Sequence, residues 1–169
     1  MSEKRIEVVA YQPVHRERLL DLAIRAWTPV FPRMEGQVPD FVYRSFYPHG
    51  WQERQRADLA TVLDAEPANV DVALDRGGLP VGWVCTRLHD EDSMGEVYVI
   101  VVDPDRQGAG VGRKLLARAY QRARDAGMGM MMVETGDDSG HRPARALYEA
   151  DGFVRWPVAR YFKDLRRGE

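Results

Sequence analysis

Cysteine is nearly missing from this sequence. Cys85 is the single one in 169 residues, so no disulfide framework can form within the chain. A reducing compartment suits such a chain, and we read it as cytoplasmic. Long apolar runs are missing too. No window approaches the roughly 20 apolar residues that a membrane span needs, and Met1-Ser2-Glu3-Lys4-Arg5 has no apolar run of leader length behind it. Neither sign of charge is in excess. The 24 basic residues face 26 acidic ones, for a formal net charge of −2, which gives no global pull toward nucleic acid or an anionic membrane. Four histidines and one cysteine show no spacing typical of a metal site. What remains is an ordinary globular composition, 44% hydrophobic and 30% charged, and it predicts a single domain over residues 1–169.

The apolar stretch 6–10 reads as a first strand. Pro13 opens a helix, where its missing N–H costs nothing, and Leu19, Leu20, Ala23, Ile24 and Trp27 recur along it at helical spacing. Pro29 and Pro32 end it. Residues 28–50 then crowd Phe31, Phe41, Tyr43, Phe46 and Tyr47 among four prolines. A second helix is expected over about 50–63. Residues 70–74 and 81–88 form a hairpin around Arg76-Gly77-Gly78. An acidic loop, Asp90-Glu91-Asp92-Ser93, leads to the run 96–102, apolar enough for a central strand. A helix over about 110–126 and a strand over 130–135 follow. Strand, helix, strand is a βαβ unit, so these two strands should be parallel. A short helix opened by Pro143 is capped by Gly152, and 153–156 and 160–165 read as closing strands. The expected fold is α/β (α+β), a mixed sheet with helices on both faces.

The chemistry concentrates in Gln107-Gly108-Ala109-Gly110-Val111-Gly112. A strand enters this turn and a helix leaves it. Glycines let a ligand approach the backbone closely. The first N–H groups of a helix lack partners and carry partial positive charge, so the turn can cradle a phosphate. Arg113 and Lys114 would add positive charge. A Walker loop does not fit, because the four-residue gap and the Ser or Thr after Lys are missing. A Rossmann site fits poorly, since no β-α-β series follows.

The stretch from Val102 to Leu116, with Gln107, Gly110 and Gly112 in place, resembles the main motif of the GNAT superfamily of N-acetyltransferases. Residues 144–153, with Tyr148 and then Gly152-Phe153, resemble that family's later motif. The resemblance implies a mostly antiparallel sheet with a central parallel pair that splays apart. It implies acetyl-CoA as co-substrate, a coenzyme A thioester and an amine acceptor as partners, and a homodimer as the assembly the family suggests. Nucleic acid, membrane and metal are not expected. By that resemblance the backbone of Ile100, Val101 and Val102 would pair with the pantetheine arm. Gln107, Gly108, Ala109, Gly110, Val111, Gly112 and Arg113 would hold the pyrophosphate. Tyr148 would be the general acid toward the thiolate, with packing between helix and sheet as its plainer role. Glu96 would be the general base, or else a solvated charge, with Glu134 a weaker rival. Period two puts Glu96, Tyr98, Ile100 and Val102 on one strand face.

His141 stands where the family often has an Asn that contacts the pantetheine arm. Its imidazole could keep that contact, transfer a proton or cap a helix. Trp27, Phe31, Phe46 and Tyr47, with Tyr43 and Trp51, could line a wall for the acceptor or simply fill a core. Cys85, on an expected strand, reads as core. The function expected is acetyl transfer to a primary amine of a small molecule or a peptide or protein. The alternative is a non-catalytic acyl-CoA-binding sensor.

Overall fold

The computed structural model describes residues 6–167. They form two compact units, one of residues 6–27 and 55–134, the other of 28–54 and 135–167. The first unit is built on a five-stranded sheet in the order β1 (Glu7–Ala10), β2 (Val70–Leu74), β3 (Pro80–His89), β4 (Met94–Val102) and β5 (Met130–Val133). Neighbours from β1 to β4 run antiparallel, and β5 runs parallel to β4. The strand-helix-strand reading is therefore borne out. The β2–β3 turn is tied by Asp75, whose carboxylate accepts from the backbone N–H of Gly77 and Leu79.

The two sheet faces are covered by different helices. On one face, α1 (Arg16–Trp27) buries Leu19, Leu20, Leu22 and Ala23. These pack with Leu59, Val62 and Leu63 of α4 (Trp51–Ala65) over Val70, Val72, Trp83, Cys85 and Val101. The strand members fall two apart, as one face of a pleated sheet requires. Fully burying each leucine contributes roughly 1.5–3 kcal/mol. Trp83 settles its indole N–H on the Leu19 carbonyl at 3.2 Å. The other face takes α5 (Val111–Asp125), which buries Val111, Leu115, Leu116, Ala119 and Ala123. This helix lies so close that a Cβ on Gly82 would sit 3.0 Å from Val111, and one on Gly95 would sit 2.9 Å from Ala123.

The second unit contains α2 (Phe31–Glu35), α3 (Asp40–Phe46), the first turn of α4, and α6 (Arg142–Ala150). Residues 28–50 thus hold two short helices that the sequence did not announce. Phe31 stacks on Trp51 at 4.3 Å, and Tyr43, Phe46 and Tyr47 join by edge contacts. The expected closing strands are absent. Residues 153–165 carry no strand among the described residues, and Trp156 is 83% exposed. Alternating apolar residues suit a strand, but only a neighbouring ladder makes one, and Pro157 has no N–H to contribute. Among the described residues, no helix is long and apolar enough to cross a membrane.

Candidate functional site

β4 and β5 pair only from Met94↔Met130 to Val97↔Val133. From Tyr98 to Val102, β4 keeps β3 on one side and, among the described residues, has no strand on the other. That leaves a free row of backbone donors and acceptors, which an extended amide-bearing ligand can pair with. The strand then runs straight into the glycine turn. Asp103 fixes the junction: its backbone N–H donates to the Val81 carbonyl at 2.8 Å, and its buried carboxylate accepts from Asp105 N–H and pairs with Arg18 and Arg25 at 3.2 and 3.4 Å. Gly108 and Gly110 have φ of 78° and 80°, in the left-handed region. Nothing lies within 4 Å of where a Cβ would stand on either. Gly110 is the N-cap of α5, so the helix's partnerless N–H groups open onto clear space. A helix start of this kind can accept a phosphate group.

Arg113 is exposed at the same helix end. Lys114 departs from expectation. Its Nζ donates to the Ile6 carbonyl at 2.9 Å, because one residue further around a helix points about 100° away.

A second departure concerns Glu96. The β3–β4 register passes from Cys85↔Val99 to Thr86↔Val97, so Tyr98 is an extra residue, a β-bulge. Beyond the bulge the alternation inverts. Glu96 stands opposite Arg87, on the face of Cys85, Val99 and Val101, and away from that of Ile100 and Val102. There it belongs to a polar group that the sequence did not reveal. His89 Nε2 lies 2.7 Å from Glu96 Oε2. Arg87 donates to Glu66 at 3.1 Å and lies 3.3 Å from the centre of the Tyr98 ring. Glu96 follows His89 at i+7 around a hairpin; that spacing is a visible signal only once the register is known. Glu134 follows β5 and is exposed.

Cys85 is fully buried, as expected of a core thiol. Burial, with Glu66 beside it, pushes that thiol up to about 12 from an ordinary 9.0. The fold therefore favours the protonated form. Its contribution is fully present below pH 9.0 and is lost as pH rises toward about 12. Between pH 8 and ~10.5 we expect a loss of roughly 2 kcal/mol, read as a falling urea midpoint, and a flatter profile in Cys85→Ala. An unchanged wild-type midpoint contradicts this.

In the second unit, His141 is tightly held. Its Nδ1 lies 2.6 Å from Asp138 Oδ2, while Asp138 Oδ1 accepts from the backbone N–H of Gly140 at 2.9 Å. Arg145 donates to the Gly136 and Asp138 carbonyls at 2.6 and 2.7 Å. Gln37 and Ser139 bond each other twice. Tyr148 is buried on α6, with its ring edge-on to Phe153 at 5.7 Å. Burial pushes its phenol up to about 12. Of the six aromatic residues read as an acceptor wall, Phe31, Tyr43, Phe46, Tyr47 and Trp51 share the aromatic cluster of this unit. Trp27 instead packs against the sheet core of the first unit.

Residues 31–153 match the acetyltransferase (GNAT) family. The chain belongs to that family. It is 34% identical over 139 residues to a mycothiol acetyltransferase of Actinosynnema mirum, covering 80% of this chain and 45% of that protein. Against a mycothiol acetyltransferase of Pseudarthrobacter chlorophenolicus the identity is 33% over 120 residues, covering 67% and 36%. The chain thus spans less than half the length of these curated relatives. A PaiA N-acetyltransferase of Thermoplasma acidophilum, solved with coenzyme A, superposes with a TM-score of 0.66 at 13% identity, over 92% of this chain and 93% of that one. At such identity the likeness speaks for the GNAT fold. The mixed sheet with its parallel pair at β4 and β5 agrees with it.

Proposed function

We propose that this chain transfers the acetyl group of acetyl-CoA to a primary amine of a small molecule or of a peptide or protein. The observation that carries the reading is the course of β4: a free edge over Tyr98–Val102 that ends in two left-handed glycines at the N-terminus of α5. In this reading the backbone of Ile100, Val101 and Val102 holds the pantetheine arm. The N–H groups of Gln107–Gly112, with Arg113, hold the pyrophosphate. A free strand N–H can also donate to the carbonyl oxygen as negative charge gathers on it, usually the largest catalytic effect. His141 takes the place of the family's pantetheine-contacting Asn.

Two side chains handle protons. Glu96 assists the amine, which as an ammonium near pKa ~10.4 must lose a proton before it attacks. Tyr148 serves the departing thiolate. Its phenol titrates at about 12 and a free thiol near ~8.5, so complete transfer is uphill by about 3.5 pK units. Tyr148 therefore acts by donating a hydrogen bond to the leaving sulfur. We expect Tyr148→Phe to lower kcat on the order of 100-fold, with the acetyl-CoA Kd within about twofold of wild type. Unchanged turnover would remove Tyr148 from the mechanism.

Calorimetry with acetyl-CoA, paired with thiol release and mass spectrometry over an amine panel, tests the whole reading. Mycothiol-related amines belong on that panel, because the relatives carry that name. Tight binding without turnover on any amine would favour a non-catalytic acyl-CoA sensor. A cytoplasmic location and a homodimer complete the proposal.

A further inference from the structure

The pairing of His89 with Glu96 points beyond this reading. We propose that the His89 imidazole is the group that accepts the amine proton, and that Glu96 is the positioning residue that orients it. The proposal rests on the acetyltransferase reading and reassigns the two roles within it.

A carboxylate only accepts hydrogen bonds, and a neutral imidazole has one N–H to give. The 2.7 Å contact between His89 Nε2 and Glu96 Oε2 therefore places the ring proton on Nε2. Nδ1 keeps its lone pair, and no hydrogen-bond partner meets it among the described residues. The imidazole is also the more accessible of the two, with its side chain 32% exposed against 16% for Glu96. A carboxylate that fixes the tautomer of a base is the arrangement that activates nucleophiles in hydrolase triads. An imidazole is ordinarily about two pK units more basic than a carboxylate, so it takes a proton from an amine with better driving force.

The location fits the task. His89 is the last residue of β3, Glu96 lies two residues before the bulge, and the free edge of β4 begins at that bulge. The other charges near the pair along the chain and across the ladder are Arg87, opposite Glu96, held by Glu66 and stacked on Tyr98, and Asp90, Glu91 and Asp92, which follow His89. In the step itself the amine lone pair forms the N–C bond at the acetyl carbon while the carbonyl π pair moves to oxygen. The amine proton passes to Nδ1. The returning oxygen pair then breaks the C–S bond, and the imidazolium returns its proton to the departing thiolate or to water.

The test compares His89→Gln, His89→Ala and Glu96→Gln with the unaltered protein. We expect His89→Gln to lower kcat on the order of 100-fold or more and to abolish the acid limb of the pH–rate profile, with the acetyl-CoA Kd unchanged. Added imidazole should restore part of the activity of His89→Ala. Glu96→Gln should lower kcat but keep the limb. Independently of activity, nitrogen-15 NMR of the free protein should show a protonated Nε2 and a bare Nδ1 at His89, with mixed tautomers in Glu96→Gln. If Glu96→Gln loses the limb while His89→Gln keeps turnover, Glu96 is the base: this inference falls and the acetyltransferase reading stands. The same holds if neither variant changes kcat. An unaltered protein that binds acetyl-CoA but acetylates no amine overturns both.

Discussion

Replacing Arg118 and Arg122 together by Met will destabilise the protein more than replacing Asp71 by Ala. Asp71 lies on β2 facing α5 and is fully buried; Arg118 Nε meets one of its oxygens at 3.2 Å, and Arg122 bonds both. The arginine side chains keep 41% and 25% of their exposure, so the three partners are not equivalent. Without Asp71, two half-wet guanidinium groups can turn to water, and the cost falls at the low end of the roughly 3–5 kcal/mol typical of a broken buried pair. Without the arginines, a carboxylate is left in the interior with neither partner nor solvent, and the cost reaches about 5 kcal/mol or more. That is comparable with the whole stability of many domains. Urea titrations of the two variants decide the order. The triple variant, with Asp71→Leu added to the arginine replacements, should recover much of the loss, because no stranded charge remains. Equal costs for the two variants, or a larger cost for Asp71→Ala, would refute the argument.

The glycine turn and the parallel pairing of β4 with β5 were legible because their causes are local. Glycines at 108, 110 and 112 ahead of an amphipathic helix announce a strand-to-helix turn, and a helix between two apolar runs dictates a parallel pair. The bulge was not legible. Every residue from Val97 to Val102 is apolar or aromatic, so nothing marks Tyr98 as the extra one; the register against Cys85 and Thr86 does. Because side chains alternate with period two, that one residue moved Glu96 to the other face. It also hid His89, whose role depends on which residue it meets across the hairpin. Lys114 was misread for a related reason: sequence gives proximity to the turn, while helix phase gives direction. The closing strands failed differently. Residues 153–165 have the composition of strands, but composition cannot supply a neighbour to pair with.

The second large effect is expected at Gly110, and there folding and binding can be separated. Gly110→Val should raise the acetyl-CoA Kd on the order of 100-fold or more while costing about 2 kcal/mol of stability. A Cβ at this position meets no atom of the protein within 4 Å, so packing does not explain the glycine. Two other things do. The first is φ of 80°, which a β-branched residue adopts only under strain of roughly 1–3 kcal/mol. The second is the emptiness above it, which a ligand must enter. To relieve the strain, valine would rotate the peptide units on either side, turning N–H groups at the start of α5 away from the proposed pyrophosphate position. Hydrogen bonds to a charged group are worth about 1.5–3 kcal/mol each, so losing two gives ~3–6 kcal/mol, a factor of 100 or more. The added methyls also enter the space proposed for the phosphate. Gly110→Ala should weaken binding less, since it adds one carbon and less strain. Calorimetry with acetyl-CoA beside urea titration reads both quantities on the same samples. If Gly110→Val unfolds readily but its folded fraction binds acetyl-CoA with wild-type affinity, the turn is only a cap for α5 and the pyrophosphate lies elsewhere.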